Sequence, residues 1–343
     1  MRHPTLPVTP GPITRALIGL ALSTLTISAA AVPAMARTTP PMRHSAHHSI
    51  RYASVDACPD KNLGSIPCHT WRLDLLDGGR VPLKDAMVWP LNTKGKPNKE
   101  RQAPLSVSGD GESVAYFRKS DHRLVVREFH GPVHVMPEKA LPRGVAMDDT
   151  WVRLSPDGAR LVLGYTVKDG TSRARIFDVA GARETGTVPA FGTFSGFSGD
   201  GSAVLVQQDT DENTTGLAVY DTGGEELARV VPPQIVAGNV PWALSADDRT
   251  VAFVSVGGEK ARLRFYDATT DRTTGSVGIS LPPDAWIEMI DWTGEHEVTL
   301  HLIRSAKVDR VTILRVDTRT GRTRVRDDYK VRAGTFSYQS CGG

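Results

Sequence analysis

The chain has 343 residues, of which 40% are hydrophobic and 23% charged, so its composition is that of a globular protein and excludes a multi-span membrane protein. Its 32 Gly and 23 Pro residues favour frequent turns over long helices. The formal net charge of +3 includes Arg2 and Arg15, which lie in a segment that we expect to be removed. The nearly neutral remainder predicts no nucleic-acid partner.

The first 36 residues have the layout of a secretory signal peptide. Residues 1–15 carry two arginines and no acid, residues 16–32 are uncharged and largely apolar, and residues 34–36 match an A-x-A cleavage site. We therefore predict an exported protein, secreted or at the cell-envelope exterior, that does not span the membrane after cleavage. A retained membrane anchor is the alternative. Residues 37–49 are polar and are expected to form a flexible leader.

A pattern of about 46 residues repeats along the rest of the chain. Ser-x-Asp-Gly-like turns begin at Ser108, Ser155, Ser198 and Ser245, and a degenerate copy begins at Trp292, in steps of 43 to 47 residues. In such turns Ser and Asp bond to the nearby backbone and Gly supplies a positive φ. Each copy also contains short β-rich runs separated by further turns. Four short strands per repeat is the unit of a β-propeller blade.

The copies resemble the WD40-like repeats of TolB-type β-propellers, whose hallmark is Ser-Pro-Asp-Gly followed by a hydrophobic strand. Residues 155–158 match this hallmark in full, and Ser108, Ser198 and Ser245 begin partial matches. The resemblance spans residues 100–330 and implies a propeller fold. It implies little about function, because such repeats occur in unrelated proteins.

The ends of the chain predict how the ring closes. We expect an all-β protein with one β-propeller domain over residues 50–343 and full repeats at about 100–327. Residues 50–83 contain the pattern of three strands and residues 334–339 that of one, so together they would form a sixth four-stranded blade. Pairing of the N- and C-terminal strands would leave no open sheet edge. A seven-bladed ring, with an irregular blade near 84–104, is the alternative.

Three cysteines are candidates for a disulfide: Cys58, Cys68 and Cys341. An exported protein can retain disulfides, and three cysteines allow one bridge. A bridge between Cys58 and Cys68 would close a short loop. A bridge from either of them to Cys341 would close nearly the whole chain and restrict the unfolded state more strongly. The sequence leaves both pairings open.

No familiar catalytic string occurs in the sequence, whether a serine-hydrolase elbow, a phosphate loop, an HExxH pair or a dinucleotide fingerprint. We therefore predict a monomeric, non-enzymatic binding or scaffold module that needs no cofactor and has a protein or another cell-envelope ligand. A propeller enzyme of the lactonase or lyase type, with its site at the central channel, is the alternative.

The alternation of turns predicts which face would bind a ligand. In antiparallel blades the Ser-x-Asp-Gly turns share one face with the turns between the third and fourth strands, and the irregular loops share the other. Irregular loops on a rigid scaffold commonly carry function. The predicted ligand-binding face contains six polar residues, Asp148, Asp149, Asp209, Asp211, Asn239 and Asp284.

One of these loops has the beginning of a calcium-binding pattern. Asp209, Asp211 and Asn213 place oxygen-bearing side chains at alternate positions, as in D-x-[DN]-x-[DN]. The glycine at the sixth position and the closing glutamate are missing. A solvated acidic loop is our interpretation, and a calcium site is the alternative.

Overall fold

The computed structural model describes residues 49–167, 170–189, 192–209, 214–257 and 260–341, apart from the side chains of Gly192 and Asp209. The predicted signal peptide, and the predicted leader except Ser49, lie outside these ranges. The described residues form 24 strands in six four-stranded antiparallel sheets. No helix in the described part of the chain combines the length and the apolar character that crossing a membrane requires.

The strands follow the predicted repeat. The chain begins with β1 (Ile50–Asp60), β2 (Gly64–Leu75) and β3 (Arg80–Leu83). Blade 1 contains β4 (Leu105–Val107), β5 (Ser113–Phe117), β6 (Leu124–Glu128) and β7 (Val133–Val135). Blade 2 contains β8 (Thr150–Leu154), β9 (Arg160–Thr166), β10 (Ser172–Asp178) and β11 (Arg183–Pro189). Blade 3 contains β12 (Gly192–Phe197), β13 (Ala203–Asp209), β14 (Thr215–Asp221) and β15 (Glu226–Val230).

The second half of the chain continues in the same way. Blade 4 contains β16 (Trp242–Leu244), β17 (Thr250–Gly257), β18 (Lys260–Asp267) and β19 (Arg272–Ile279). Blade 5 contains β20 (Trp286–Gly294), β21 (Glu297–Arg304), β22 (Arg310–Asp317) and β23 (Thr323–Lys330), and β24 (Thr335–Ser340) follows it. A 3₁₀ turn (Met147–Asp149) precedes blade 2, and the short helix α1 (Gln234–Ala237) precedes blade 4.

Blade 6 is built from both ends of the described chain. Its strand order is β24-β1-β2-β3, and β24 pairs antiparallel with β1 so that Tyr338 lies opposite Ser54. The prediction of six blades closed by the terminal strands is therefore confirmed. Residues 84–104 connect blades 6 and 1 and make only isolated β-bridges, such as that between Ala86 and Arg118. The seven-blade alternative is wrong.

The Ser-x-Asp-Gly turns also explain how neighbouring blades approach each other. Ser108 Oγ donates to Asp110 Oδ1 at 2.6 Å and accepts the backbone N–H of Ser113 at 2.9 Å. Gly111, with φ of 73°, lies against blade 6, where a Cβ atom would come within 2.5 Å of the Ile50 carbonyl oxygen. Gly111 is therefore required for two reasons: its backbone is left-handed, and a side chain would prevent the close contact between the blades.

Large aromatic side chains fill the core, and their polar atoms are paired. Trp71 and Trp242 are 1% exposed. The indole N–H of Trp71 donates to the carbonyl oxygen of Met87, and that of Trp242 to the carbonyl oxygen of Val236, each at 3.0 Å. Burial of these side chains therefore leaves no indole donor unsatisfied.

Of the two predicted pairings, the structure contains the disulfide that closes a short loop. Cys58 in β1 and Cys68 in β2 are bonded, with their Cα atoms 5.8 Å apart. Cys341 is a buried free thiol, and burial raises its pKa to about 11. The alternative pairing with Cys341 is therefore wrong, and the ring is held closed by strand pairing and packing instead of a covalent bond.

Candidate functional site at the central channel

A central channel is lined by the first strand of each blade. These inner strands are β4, β8, β12, β16, β20 and β24, and several of them contact each other around the axis. The channel has a cavity volume of about 630 Å³, to which every one of the six inner strands contributes side chains or backbone. A cavity of this size can hold a small molecule or a few residues of a polypeptide.

Arg153 places a positive charge inside this channel. Its side chain is exposed and lines this cavity from β8. Burial lowers the pKa of its guanidinium, and the carboxylates of Asp291 and Glu288 oppose that change. Arg153 makes no hydrogen bond or ion pair with any residue in the described ranges. Its five N–H donors therefore remain to be satisfied by solvent or by a ligand.

Acidic groups on blade 5 line the same cavity. Glu288 and Asp291 lie on β20, and Asp309 precedes β22. Tyr338 lies near this side of the channel; burial, followed by the carboxylates of Asp309 and Glu288, raises the pKa of its hydroxyl to about 12. Tyr338 is therefore a neutral hydrogen-bonding group at physiological pH. The channel combines one guanidinium with several carboxylates, so it is bipolar in charge.

His301 adds an uncharged imidazole to the channel wall. It lies on β21, is 1% exposed, and neither of its ring nitrogens has a hydrogen-bond partner among the described residues. Its Nε2 is 3.9 Å from Asp291 Oδ2. Burial and the positive charge of Arg326 lower its pKa to about 3. The imidazole is therefore neutral, with one nitrogen able to donate and the other to accept.

Aromatic side chains surround one end of the channel. Trp151, Phe194, Trp286 and Phe336 lie at the N-terminal ends of inner strands, which follow the irregular loops; we name these four residues the channel mouth. Trp286 is 50% exposed and its indole N–H donates to Glu288 Oε2 at 3.2 Å. The rings of Trp151 and Phe194 are 5.2 Å apart. Trp151 and Trp286 of the channel mouth are therefore exposed to solvent, whereas Phe194 and Phe336 are half-buried.

A second cavity adjoins the channel mouth. It has a volume of about 790 Å³ and is lined by residues 100–105, by part of β8 and by Asp148. Asp148 Oδ2 accepts a hydrogen bond of 2.9 Å from Asn98, and its backbone carbonyl accepts one of 3.1 Å from Arg101. The 84–104 connection thus contributes to the irregular-loop face next to the channel.

Four of the six residues predicted for the ligand-binding face have side chains that the structure describes. Among them, Asp148 lines the second cavity, whereas Asp149 and Asp284 are exposed outside both cavities. Asn239 donates from Nδ2 to the carbonyl oxygen of Ile235 at 2.9 Å and so terminates helix α1.

The candidate calcium ligands lie largely outside the described residues. Asp209 is the last residue of β13, but its side chain is not among the described ones. Asp211 and Asn213 lie between two of the described ranges. The calcium site remains a prediction.

The sequence did not predict the polar residues that line the channel. Arg153, Asp291 and His301 belong to blades 2 and 5 and share no motif or spacing. One inner strand does show alternation: Trp151 and Arg153 are exposed, whereas Val152 and Leu154, which alternate with them, are buried. That pattern shows two residues facing away from the core, but not what lies across the channel.

Some solved structures are similar to this chain at low sequence identity. No protein-family model and no curated protein matches this sequence. Among solved structures, TolB from Acinetobacter baumannii is 16% identical, with a TM-score of 0.45, over 85% of this chain and 65% of that chain. The putative TolB from Agrobacterium tumefaciens is 14% identical, with a TM-score of 0.45, over 83% of this chain and 92% of that one. An acylaminoacyl peptidase from Pyrococcus horikoshii is 12% identical, with a TM-score of 0.46, over 85% of this chain and 54% of that one.

These likenesses concern architecture alone. The described residues form a β-propeller with six four-stranded blades. The matched part is just under two thirds of the length of the Acinetobacter baumannii structure, and about half that of the peptidase.

Proposed function

We propose that this protein is a binding module whose ligand enters the central channel from the irregular-loop face. The observation that carries the proposal is Arg153, whose guanidinium lines the channel without a hydrogen bond or ion pair to the described residues, beside the exposed Trp151 of the channel mouth. Arginine and tryptophan are the residue types that most often dominate binding energy at interfaces.

The bipolar channel favours a segment of a protein as the ligand. An acidic group of such a segment would pair with Arg153, because a guanidinium and a carboxylate form strong charge-assisted hydrogen bonds. A basic or hydroxyl group would interact with Glu288 and Asp291, and an apolar side chain would pack on Trp286. The volume of about 630 Å³ admits a short segment and not a folded domain.

The compartment proposed for this interaction is extracytoplasmic. The Cys58–Cys68 disulfide supports it, because such bonds persist in oxidising compartments. The signal-peptide pattern of residues 1–36 supports it independently. The partner would then be another exported protein or a component of the cell envelope.

Capture of partners from the producing organism's cell envelope tests the proposal. Immobilised wild-type protein and the variants Arg153→Met and Trp286→Ala would be compared, with Arg324→Met on the exposed outer strand of blade 5 as the matched control. We expect a partner that is retained by the wild type and Arg324→Met and reduced at least tenfold by both channel variants. Equal capture by all four proteins would contradict the proposal.

A second candidate function, an enzyme with its site in the channel, is supported by one observation. The imidazole of His301 lines the channel with its Nε2 3.9 Å from Asp291 Oδ2, and a histidine beside a carboxylate is a common arrangement in general acid–base catalysis. Screening lactone and lyase substrates with wild type and His301→Gln tests this alternative. Turnover that disappears in His301→Gln would support it, and turnover that is equal in both proteins would contradict it.

A further inference from the structure

A set of metal-ligand atoms lies at the tip of the β1–β2 hairpin, far in sequence from the channel residues. Cys58 Sγ, Cys68 Sγ and a ring nitrogen of His69 all lie within 4.8 Å of one another. His69 Nε2 is 3.9 Å from Cys58 Sγ, and His69 Nδ1 is 3.7 Å from Cys68 Sγ. Two sulfurs and one imidazole form a donor set typical of zinc sites in proteins.

The backbone explains why adjacent residues share one side of the hairpin. Neighbours in a regular strand point to opposite faces, so Cys68 and His69 should diverge. The pairing of β1 with β2 shifts register between Ser54 and Asp56, and His69 lies in the resulting bulge with φ of 63°. The bulge places the imidazole beside both sulfurs.

Asp56 fixes the orientation of the imidazole. Its Oδ2 is 3.0 Å from His69 Nδ1, so the carboxylate accepts the Nδ1 proton and leaves Nε2 without one. Arg72 holds the same carboxylate from the other side, with Nη1 2.6 Å from Oδ1. Metal-binding histidines commonly donate their second N–H to a carboxylate in this way. Nε2 is the nitrogen that lies nearer to Cys58.

In the structure both sulfurs are used in the disulfide, and disulfide sulfurs are poor ligands because the thiolate is the ligand form. We propose that Cys58, Cys68 and His69 bind a zinc ion once the disulfide is reduced, so that the hairpin tip is held either by a disulfide or by a metal. The proposal does not depend on the proposed function of the channel.

The chemistry balances in two steps. An external dithiol supplies two electrons and two protons: it becomes a disulfide, the Cys58–Cys68 bond breaks, and two thiols form. Zinc binding then releases the two thiol protons, giving two Zn–S bonds and one Zn–N bond and leaving a fourth position for water. The sulfurs must move to about 3.8 Å apart in a tetrahedral site. Side-chain rotation allows this, because the Cα atoms are 5.8 Å apart.

Zinc content measured in both redox states tests the proposal. The protein would be reduced with a phosphine, freed of it without air, given ZnCl₂, and analysed for bound zinc after gel filtration. We expect one more zinc per chain in the reduced protein than in the oxidised protein. Any zinc held by the leader histidines His44, His47 and His48 is the same in both states, so the oxidised protein serves as the reference.

Substitution of the proposed ligands, together with replacement of zinc by cobalt, identifies the residues that bind the metal. Cys58→Ser and Cys68→Ser should abolish the redox-dependent zinc, and His69→Ala, which keeps both cysteines, should weaken zinc binding by at least tenfold. Asp56→Asn should weaken it less, because Asp56 only positions the ring. Cys341→Ser should change nothing. Cobalt in place of zinc should give thiolate charge-transfer absorption in the reduced wild type.

Three results would overturn the proposal. These are equal zinc in the oxidised and reduced proteins, redox-dependent zinc that survives in Cys58→Ser, and a reduced wild type that binds cobalt without thiolate absorption. A reduced protein whose hairpin unfolds and binds no metal would also overturn it, because the proposal requires the bulge to hold His69 in place.

Discussion

Arg51 and Asp327 are 276 positions apart in sequence and form two hydrogen bonds, from Nε to Oδ2 at 2.8 Å and from Nη2 to Oδ1 at 3.2 Å. Arg51 lies in β1 of blade 6, and Asp327 lies in β23 of blade 5. Arg51 also lies over the ring of Tyr329, 5.2 Å from its centroid, and Tyr52 stacks on that ring at 5.2 Å. These contacts form the seam where the last full blade meets the composite blade.

We predict that this pair stabilises the ring measurably. Its side chains are only 23% and 13% exposed, so removal of one partner leaves a poorly solvated charge. Arg51→Met and Asp327→Asn should each lower the free energy of unfolding by about 1–3 kcal/mol. A double-mutant cycle in denaturant should give a coupling energy of about 1 kcal/mol or more.

The neighbouring pair Arg310–Asp328 is the control. Its Nε–Oδ1 distance is 2.7 Å, but its side chains are 42% and 32% exposed. Solvent screening should limit its coupling energy to about 0–1 kcal/mol. Additive effects of Arg51→Met and Asp327→Asn would show that the seam does not depend on this contact.

The closing strand gives the second prediction. Deletion of residues 334–343 removes β24, which pairs with β1 and contributes Phe336 and Tyr338 to the packing around blade 6. The loss of these pairings and of a few kcal/mol of apolar burial should cause aggregation or a sharply lower melting temperature. Size-exclusion chromatography and thermal unfolding measure both. A truncated monomer that melts at the parent temperature would contradict the closure by β24.

The blade count was accessible from the sequence because each blade repeats the same local chemistry. Ser108, Ser155 and Ser198 begin turns in which the serine hydroxyl donates to an aspartate two positions further along the chain, so their spacing is visible in the sequence. The contact between Arg51 and Asp327 is not visible in this way, because it depends on which blades become neighbours when the ring closes.

The side chains that face each other across the channel could not be predicted from the sequence, because their contacts also depend on how the blades are arranged. Arg153 and Asp291 lie on different inner strands, and their approach depends on the diameter of the ring and the tilt of its strands. The loop residues predicted for the ligand-binding face were chosen by polarity and loop position. Neither property shows whether a side chain points toward the channel, and Asp284 does not line it.

A glycine substitution distinguishes backbone strain from contact between blades. Gly321 and Gly95 both have positive φ, 71° and 70°. A Cβ atom on Gly321 would overlap the carbonyl oxygen of Gly278 in β19 of blade 4, whereas a Cβ on Gly95 would meet nothing within 4 Å. Gly95→Ala should cost about 1–2 kcal/mol of left-handed strain. Gly321→Ala should cost about 1–3 kcal/mol more, because the two blades must separate.

Equilibrium unfolding in urea measures the difference between these two variants as a shift in midpoint at constant slope. Equal losses for Gly321→Ala and Gly95→Ala would show that the turn can move away from blade 4 without cost. The close approach of blades through glycine would then be unimportant for stability.

Asp267, at the end of β18, predicts how stability depends on pH. Burial raises its pKa, but hydrogen bonds from Thr269, Arg249 and Thr270 outweigh burial and hold the pKa well below its ordinary value of 3.8. Asp267 is 6% exposed, and its Oδ1 accepts a hydrogen bond of 2.6 Å from the hydroxyl group of Thr269. Because the pKa is lower in the folded state, the stabilisation is fully present above pH 4 and is lost as the pH falls below that value.

Asp267→Asn should therefore be less stable than the wild type at pH 7, by about 1–3 kcal/mol, because Arg249 and the turn lose a charged acceptor. The difference should shrink as the pH is lowered from 4 to 2, because the unfolded wild type binds a proton at Asp267 at a higher pH than the folded protein does. Free energies of unfolding from urea titrations at pH 7, 4, 3 and 2 measure this. Asp284→Asn, an exposed aspartate, should follow the wild-type curve. A gap between Asp267→Asn and the wild type that stayed constant down to pH 2 would mean that the ionised carboxylate is not what stabilises this turn.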